Sequence, residues 1–369
     1  MKKKPKILCI IQLPPPIHGV TIINSYIYNS KILNDLYDIQ AISLSYAKTT
    51  GELGSISCKK IFIFIQHLVK ILKTLFFFRP QMVYFTITPY GPSFYRDVFI
   101  VSLIKLFQTK LVYHLHGKGI KNHYKKNKIL YNYIYKNVNV ICLSKFLLND
   151  IDFYKKTPYI VNNGIPEISV DQYKGKGQYQ KRNEVVKILY LSNFAETKGV
   201  IDLLESVSLL QEKDLHFKIQ LIGQYRGIFT KEFLSDYIKD NYLQDYVELL
   251  GPLYGNDKNY YLAKTDIFVH PTYNDAFPTV LLEAMQFGLP CISTYEGGIP
   301  EIIEDNITGF LFQQRNINEL AEKIEFLIKN EKLRISFGKN GRKRYEECFS
   351  LAIFEKNMSK TFNDILRIT

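Results

Sequence analysis

The chain has 369 residues, 46% of them hydrophobic and 22% charged, a balance that suits two folded cores and excludes a disordered or collagen-like chain. Its net charge of +13 is unevenly spread: residues 1–180 hold 25 Lys/Arg against 8 Asp/Glu, a net +17, and the remainder 23 against 27, a net −4. No Arg/Gly tract, zinc-finger spacing or aromatic RNA-binding signature accompanies the basic half, so nucleic acid is not the expected partner; one domain meeting an anionic surface is.

The opening MKKKPKILCIIQLPPP has a basic head, but its apolar core covers only Ile7 to Leu13 and no small-residue cleavage site follows. It reads as a first strand, not a signal peptide. Strand-length apolar runs then recur at Met82–Thr86, Lys110–His116, Val138–Leu143, Val186–Ser192, Lys218–Gly223, Val247–Leu250, Ile267–His270 and Pro290–Ser293, each followed by a helical pattern. This alternation predicts α/β architecture, two Rossmann-like domains with parallel sheets facing across a cleft, and the interleaved Glu, Lys and apolar positions after Ile317 predict C-terminal helices. The polar, Gly/Lys/Gln-rich stretch at 167–184 is read as a linker between an acceptor-binding domain at 1–166, completed by a C-terminal helix at 351–369, and a second domain at 185–350.

Lys59 to Arg79 and Lys121 to Lys136 interleave cations with Phe, Tyr and Ile. The first is interrupted by Gln66, His67, Lys70 and Lys73 and does not span a bilayer; an interfacial helix and a buried Rossmann helix both fit it. The cysteines, Cys9, Cys58, Cys142, Cys291 and Cys348, are odd in number and widely spaced, the pattern of free thiols in a reducing cytoplasm and not of a metal site.

The richest segment is Asp275 to Glu301, DAFPTVLLEAMQFGLPCISTYEGGIPE. Pro278 suits a first helical position, because its missing N–H has no intrahelical partner there, and Gly288 with Pro290 ends the helix. A helix start presents free N–H groups and a positive dipole end to a diphosphate. Asp275 precedes that start and Glu283 lies within the helix. Gly297 and Gly298 form a turn whose backbone can approach phosphate oxygens closely.

In this order the pieces resemble the donor-binding signature of retaining glycosyltransferase family 4, enzymes of the two-Rossmann GT-B architecture marked by two acids separated by seven residues. Here the pair is Asp275 and Glu283, with Asp in place of the usual first Glu. The resemblance implies that Asp275 binds hydroxyls of the donor sugar and Glu283 the nucleotide ribose. Phe277-Pro278-Thr279, Gly297-Gly298 and the downstream ITGFLF at 307–312 match the same pattern. LSNFAETKG at 191–199 resembles the family's diphosphate loop; Lys198 matches, and Ser192 and Asn193 stand where Gly and Arg are usual, which removes a bidentate phosphate partner. PPPIHGV at 14–20 resembles its first-domain Pro-rich loop, with Gly19 nearest the donor phosphates. His116, in HLHGKG at 114–119, fits the place of a His that contacts the sugar, and Lys118 is a further candidate for a phosphate or acceptor contact. His114 and His116 lack a third metal ligand in the sequence nearby, so no metal is expected.

The resemblance implies transfer of a hexosyl-type unit from a nucleoside diphosphate sugar, expected to be a UDP-sugar, to a glycan or lipid-linked acceptor in cell-surface polysaccharide synthesis. The departing diphosphate would be stabilised by Lys198 and backbone amides, with no cofactor. The expected setting is the cytoplasm, peripheral at the anionic inner face of the cell membrane and docked through the basic first domain. A nucleotide-sugar epimerase or hydrolase of the same fold, or a nonenzymatic binder of sugar nucleotides or polyanions, remains an alternative.

Overall fold

The computed structural model describes residues 3–44, 58–174 and 185–367. The chain divides into two compact units, residues 1–164 with 351–369, and residues 165–350. Part of the segment read as a linker, 175–184, lies outside the described residues.

The first unit runs β1 (Lys6–Ile11), α1 (Gly19–Asn29), α2 (Lys31–Leu36), β2 (Asp38–Ser43), α3 (Cys58–Phe77), β3 (Met82–Phe85), α4 (Pro92–Lys105), β4 (Lys110–Leu115), α5 (Ile120–Lys126), α6 (Lys128–Tyr135), β5 (Val138–Cys142) and β6 (Tyr159–Ile160). Its six strands form one parallel sheet in the order β2-β1-β3-β4-β5-β6. The inner strands are buried on both faces and so read as unbroken apolar runs such as LCII and MVYF.

The second unit contains α7 (Asp171–Lys174), β7 (Val186–Leu191), α8 (Val200–Leu210), β8 (Phe217–Ile222), α9 (Lys231–Asp240), β9 (Val247–Gly251), α10 (Gly255–Ala263), β10 (Ile267–His270), α11 (Thr279–Gln286), β11 (Cys291–Thr294), α12 (Ile299–Ile302), β12 (Gly309–Phe312), α13 (Ile317–Lys329) and α14 (Glu331–Arg344). Its sheet is again parallel, in the order β12-β11-β10-β7-β8-β9. The order reverses direction between β7 and β10, and the loops leaving two such neighbouring strands part to opposite sides and open a crevice at their carboxyl ends. One face of this sheet is closed by α8 and α13, whose Leu203, Leu204, Val207, Leu320, Ile324 and Leu327 share a core with Ile188, Tyr190 and Ile219.

The last helix, α15 (Leu351–Leu366), returns to the first unit. Phe354, Met358, Phe362 and Ile365 recur at helical spacing and pack on the β1, β3, β4 and β5 face through Ile7, Cys9, Tyr84, Val112 and Ile141. Phe362 meets Tyr84 edge-on, with ring centroids 5.7 Å apart, and the Tyr37 hydroxyl donates to Asn363 Oδ1 at 2.6 Å. The described cysteines Cys9, Cys142, Cys291 and Cys348 are free thiols.

Candidate functional site

In the second unit the loops after β7 and β10 are joined by backbone contacts. Thr197 O accepts from Tyr273 N and from Thr272 Oγ1, both at 3.0 Å. Gly199 allows this approach: its φ is +68°, and an added Cβ would lie 2.1 Å from Pro271 O. The join brings Lys198 and Asp275 together, with Lys198 Nζ 2.5 Å from Asp275 Oδ2 and 2.9 Å from Asn274 O. Buried His270, at the end of β10, has Nε2 3.8 Å from the same Oδ2, beyond hydrogen-bonding reach.

Burial raises the Asp275 pKa, but the neighbouring His270 imidazole and the Lys198 ammonium outweigh it and bring the carboxyl to about 2. Burial lowers the His270 pKa despite the attraction of Asp275, so at neutral pH the ring is uncharged and Lys198 supplies the positive charge. Asp275 N donates to Glu296 Oε1 at 3.2 Å, and Gln314 Nε2 holds the other Glu296 oxygen at 2.7 Å.

Pro278 is the residue immediately before α11, one place earlier than the sequence suggested, and the Leu281 amide donates to Pro278 O at 3.2 Å. Thr279 opens the helix. Phe277 is buried against Phe349 at 5.9 Å between ring centroids, so its side chain anchors the loop in the core. Glu283 lies on α11 and is paired with Lys258 of α10, Nζ to Oε2 2.6 Å. Asp275 and Glu283 therefore each hold a different lysine.

The Gly297-Gly298 turn differs from its expected role in one respect. Gly297 has φ +52°, and a Cβ there would stand 2.1 Å from Asp275 O, so the position requires glycine. The Gly298 amide, expected to face phosphate, instead donates to Ala276 O at 2.7 Å. The turn thus clamps the Asp275 loop. Asn193 is exposed, and its carbonyl accepts from the Tyr190 hydroxyl at 3.1 Å.

His116 and Gly19 belong to the first unit. Gly19 is the exposed first residue of α1, and an added Cβ there would meet nothing within 4 Å. His116 follows β4, its ring centroid 4.0 Å from that of His114, which is hydrogen-bonded through Nδ1 to the Tyr84 hydroxyl at 2.5 Å. The Nε2 atoms of both histidines are buried without a partner. Burial, then the neighbouring His18, lower the His116 pKa to about 3; burial, then His116, lower that of His114 well below the usual value. The start of α5 is already occupied: Asp150 accepts from the Gly119, Ile120 and Lys121 amides at 2.8, 3.0 and 3.1 Å. Among the described residues no group of three His, Cys, Asp or Glu side chains is placed to hold a metal ion.

His270, Glu296 and Lys258 were not singled out in the sequence. His270 carried a weak signal, a polar residue closing an apolar strand, whereas Lys258 lies 25 residues from its partner and carried none.

Two six-stranded parallel sheets, each in its own Rossmann-like unit, define a GT-B type α/β protein. Residues 171–344 match the family model of glycosyl transferases group 1. It is 29% identical over 246 residues to an uncharacterized glycosyltransferase of Methanocaldococcus jannaschii, covering 65% of each chain. It is also 29% identical over 211 residues to the capsular polysaccharide biosynthesis glycosyltransferase CapM of Staphylococcus aureus, covering 56% of this chain and 54% of CapM. The chain thus spans less than two thirds of the length of these relatives. The structure of Anabaena HepE in complex with UDP has the same fold, with a TM-score of 0.74 and 18% identity over 98% of this chain and 100% of its own.

Proposed function

We propose that the protein is a retaining glycosyltransferase that moves a sugar from a nucleoside diphosphate sugar, of the UDP class, to a hydroxyl of a glycan or lipid-linked acceptor during cell-surface polysaccharide synthesis. The observation that carries this reading is the Lys198–Asp275 pair at the point where the second sheet reverses strand order, beside the start of α11. The polysaccharide setting draws on the printed function of CapM, and the uridine nucleotide on the ligand of HepE.

In this reading Lys198 has three donors, of which Asn274 O and Asp275 take two, and the third meets the donor diphosphate together with the free amides of α11 and the backbone of Gly297. Asp275, held ionised, accepts from sugar hydroxyls. Glu283, oriented by Lys258, accepts from the ribose, while Asn193 lies along the phosphates. The bond from the anomeric carbon to diphosphate breaks, the acceptor oxygen bonds to that carbon on the same face, and the acceptor proton passes to the departing phosphate oxygen. Lys198 and the α11 dipole stabilise the charge that develops there without a metal ion.

We also infer that the first unit docks on an anionic membrane surface at the cytoplasmic face. Between residues 53 and 149 there are 15 Lys/Arg and a single acid, Asp97, which is buried and paired with Arg96. The side chains of Phe62, Ile65, Val69, Leu72 and Phe76 are exposed along one face of α3. No helix among the described residues is long and apolar enough to cross a membrane.

Replacing Glu283 by Ala tests the donor site. Calorimetric titration with a panel of UDP-, GDP- and ADP-sugars should give saturable binding to the native chain and at least tenfold weaker binding to the variant, the worth of a lost charge-assisted hydrogen bond, with an unchanged circular dichroism spectrum. Equal affinities would overturn the assignment.

A further inference from the structure

At the opposite edge of the first sheet from His116, where β4 and β5 begin and where α4, α6 and α15 end, there is a cavity of about 700 Å³. Lys105, Lys110, Lys136, Lys156 and Arg367 line it, against one acid, Asp364. Three of these cations answer the carbonyls that helix ends and strand starts present there. Lys105 Nζ donates to Tyr133 O and to Lys136 O, the latter at 3.0 Å; Lys110 Nζ donates to Ile365 O at 2.8 Å and Lys156 Nζ to Val138 O at 3.4 Å. An ammonium carries three donors, so none of the three is exhausted.

The side chains of Lys136 and Arg367 make no hydrogen bond or ion pair among the described residues, and both are exposed at the cavity. The Thr109 hydroxyl is buried in its wall with no partner. Positive charge is therefore in excess. Burial, followed by repulsion from Lys136, lowers the Lys105 pKa to about 8. Tyr133, which lines the cavity, and Leu106, next in the chain to Lys105, are exposed.

We propose that this cavity binds a phosphate or diphosphate group, held by Lys105, Lys136 and Arg367 with the Thr109 hydroxyl. Tetrahedral oxyanions offer several acceptors to converging ammonium and guanidinium donors, and a bound anion relieves the repulsion between Lys105 and Lys136. Nothing in the glycosyl-transfer reading uses these residues. The group reaches the cavity either as a free phosphate or as the headgroup of an anionic phospholipid whose acyl chains lie against Leu106.

The test uses the full-length chain. Calorimetry with inorganic phosphate and pyrophosphate should show saturable binding in the millimolar range or tighter. Lys136→Gln with Arg367→Gln should weaken it about tenfold for each charge removed. The same charge change at exposed Lys31 and Lys125 should leave it within about twofold, as expected for sites remote from the ligand. Lys198→Ala, which removes the cation proposed to meet the donor diphosphate, should retain the saturable pyrophosphate binding that Lys136→Gln with Arg367→Gln weakens, which separates this cavity from the proposed donor site. Competition of pyrophosphate by phosphatidylglycerol vesicles, and not by phosphatidylcholine vesicles, assigns the headgroup source; absence of competition assigns the free anion. No saturable binding of either anion or either lipid, or equal loss in the two double variants, overturns the proposal.

Discussion

Asp275 is one methylene shorter than the glutamate usual in the related signature, and its surroundings hold it in place. The Gly297–Gly298 turn clamps its backbone, Glu296 accepts its amide, and Lys198 meets its carboxylate at 2.5 Å. A carboxyl with a pKa of about 2 is an acceptor of hydrogen bonds and a poor general base at neutral pH, which suits sugar binding and argues against proton abstraction. Lys198→Ala should raise the Asp275 pKa, because burial then acts with only His270 opposing it; carboxyl-carbon NMR titration reads the change. In the proposed reaction the same variant should lose about 100-fold in kcat, the usual worth of one donor to a developing oxyanion. The chemistry-bearing residues of this loop were legible because their order along the chain is local. The commitment of the Gly298 amide to Ala276, the inward turn of Phe277 and the pairing of Glu283 with Lys258 were not, since each depends on which segments fold against one another.

At the scale of elements, α3 was ambiguous in sequence and its exposure now has a definite pattern. Phe62, Ile65, Val69, Leu72 and Phe76 follow a spacing of three and four and face outward, while Ile71 and Leu75 turn into the core. Ile65→Asp with Leu72→Asp should therefore leave the unit folded and reduce flotation with phosphatidylglycerol liposomes several-fold, since burying a carboxylate in lipid is costly; undiminished flotation would exclude this face. The buried strands were readable to within a residue or two because both their faces are apolar. The edge strand β2 was missed, because its DIQAIS carries polar residues on an exposed side, and two-residue β6 is too short to leave a pattern. Strand β12 was recognised only as the motif ITGFLF.

Across the whole molecule, burial keeps His114, His116 and His270 below their ordinary pKa, as it does His18 and His67. The unfolded chain binds protons at these positions from about pH 6.5 downward and the folded chain does not, so folding stability falls as pH drops from about 6.5 toward 3 and is undiminished by them above 6.5. Each such group contributes up to about 1.4 kcal/mol per pH unit within that window. Urea midpoints should decline between pH 7 and pH 5, and His114→Gln should make the decline shallower; a midpoint independent of pH would contradict the neutral state assigned to these rings.

The return of α15 to the first unit has a consequence for how the protein is made. During synthesis β1, β3, β4 and β5 leave the ribosome early, and the face they turn toward Phe354, Met358 and Phe362 stays uncovered while the entire second unit is translated. A nascent chain in that state carries a wet apolar sheet face for most of its elongation, so a chaperone that shields such surfaces, and a stop codon that falls before residue 351, act on the same vulnerability from opposite directions.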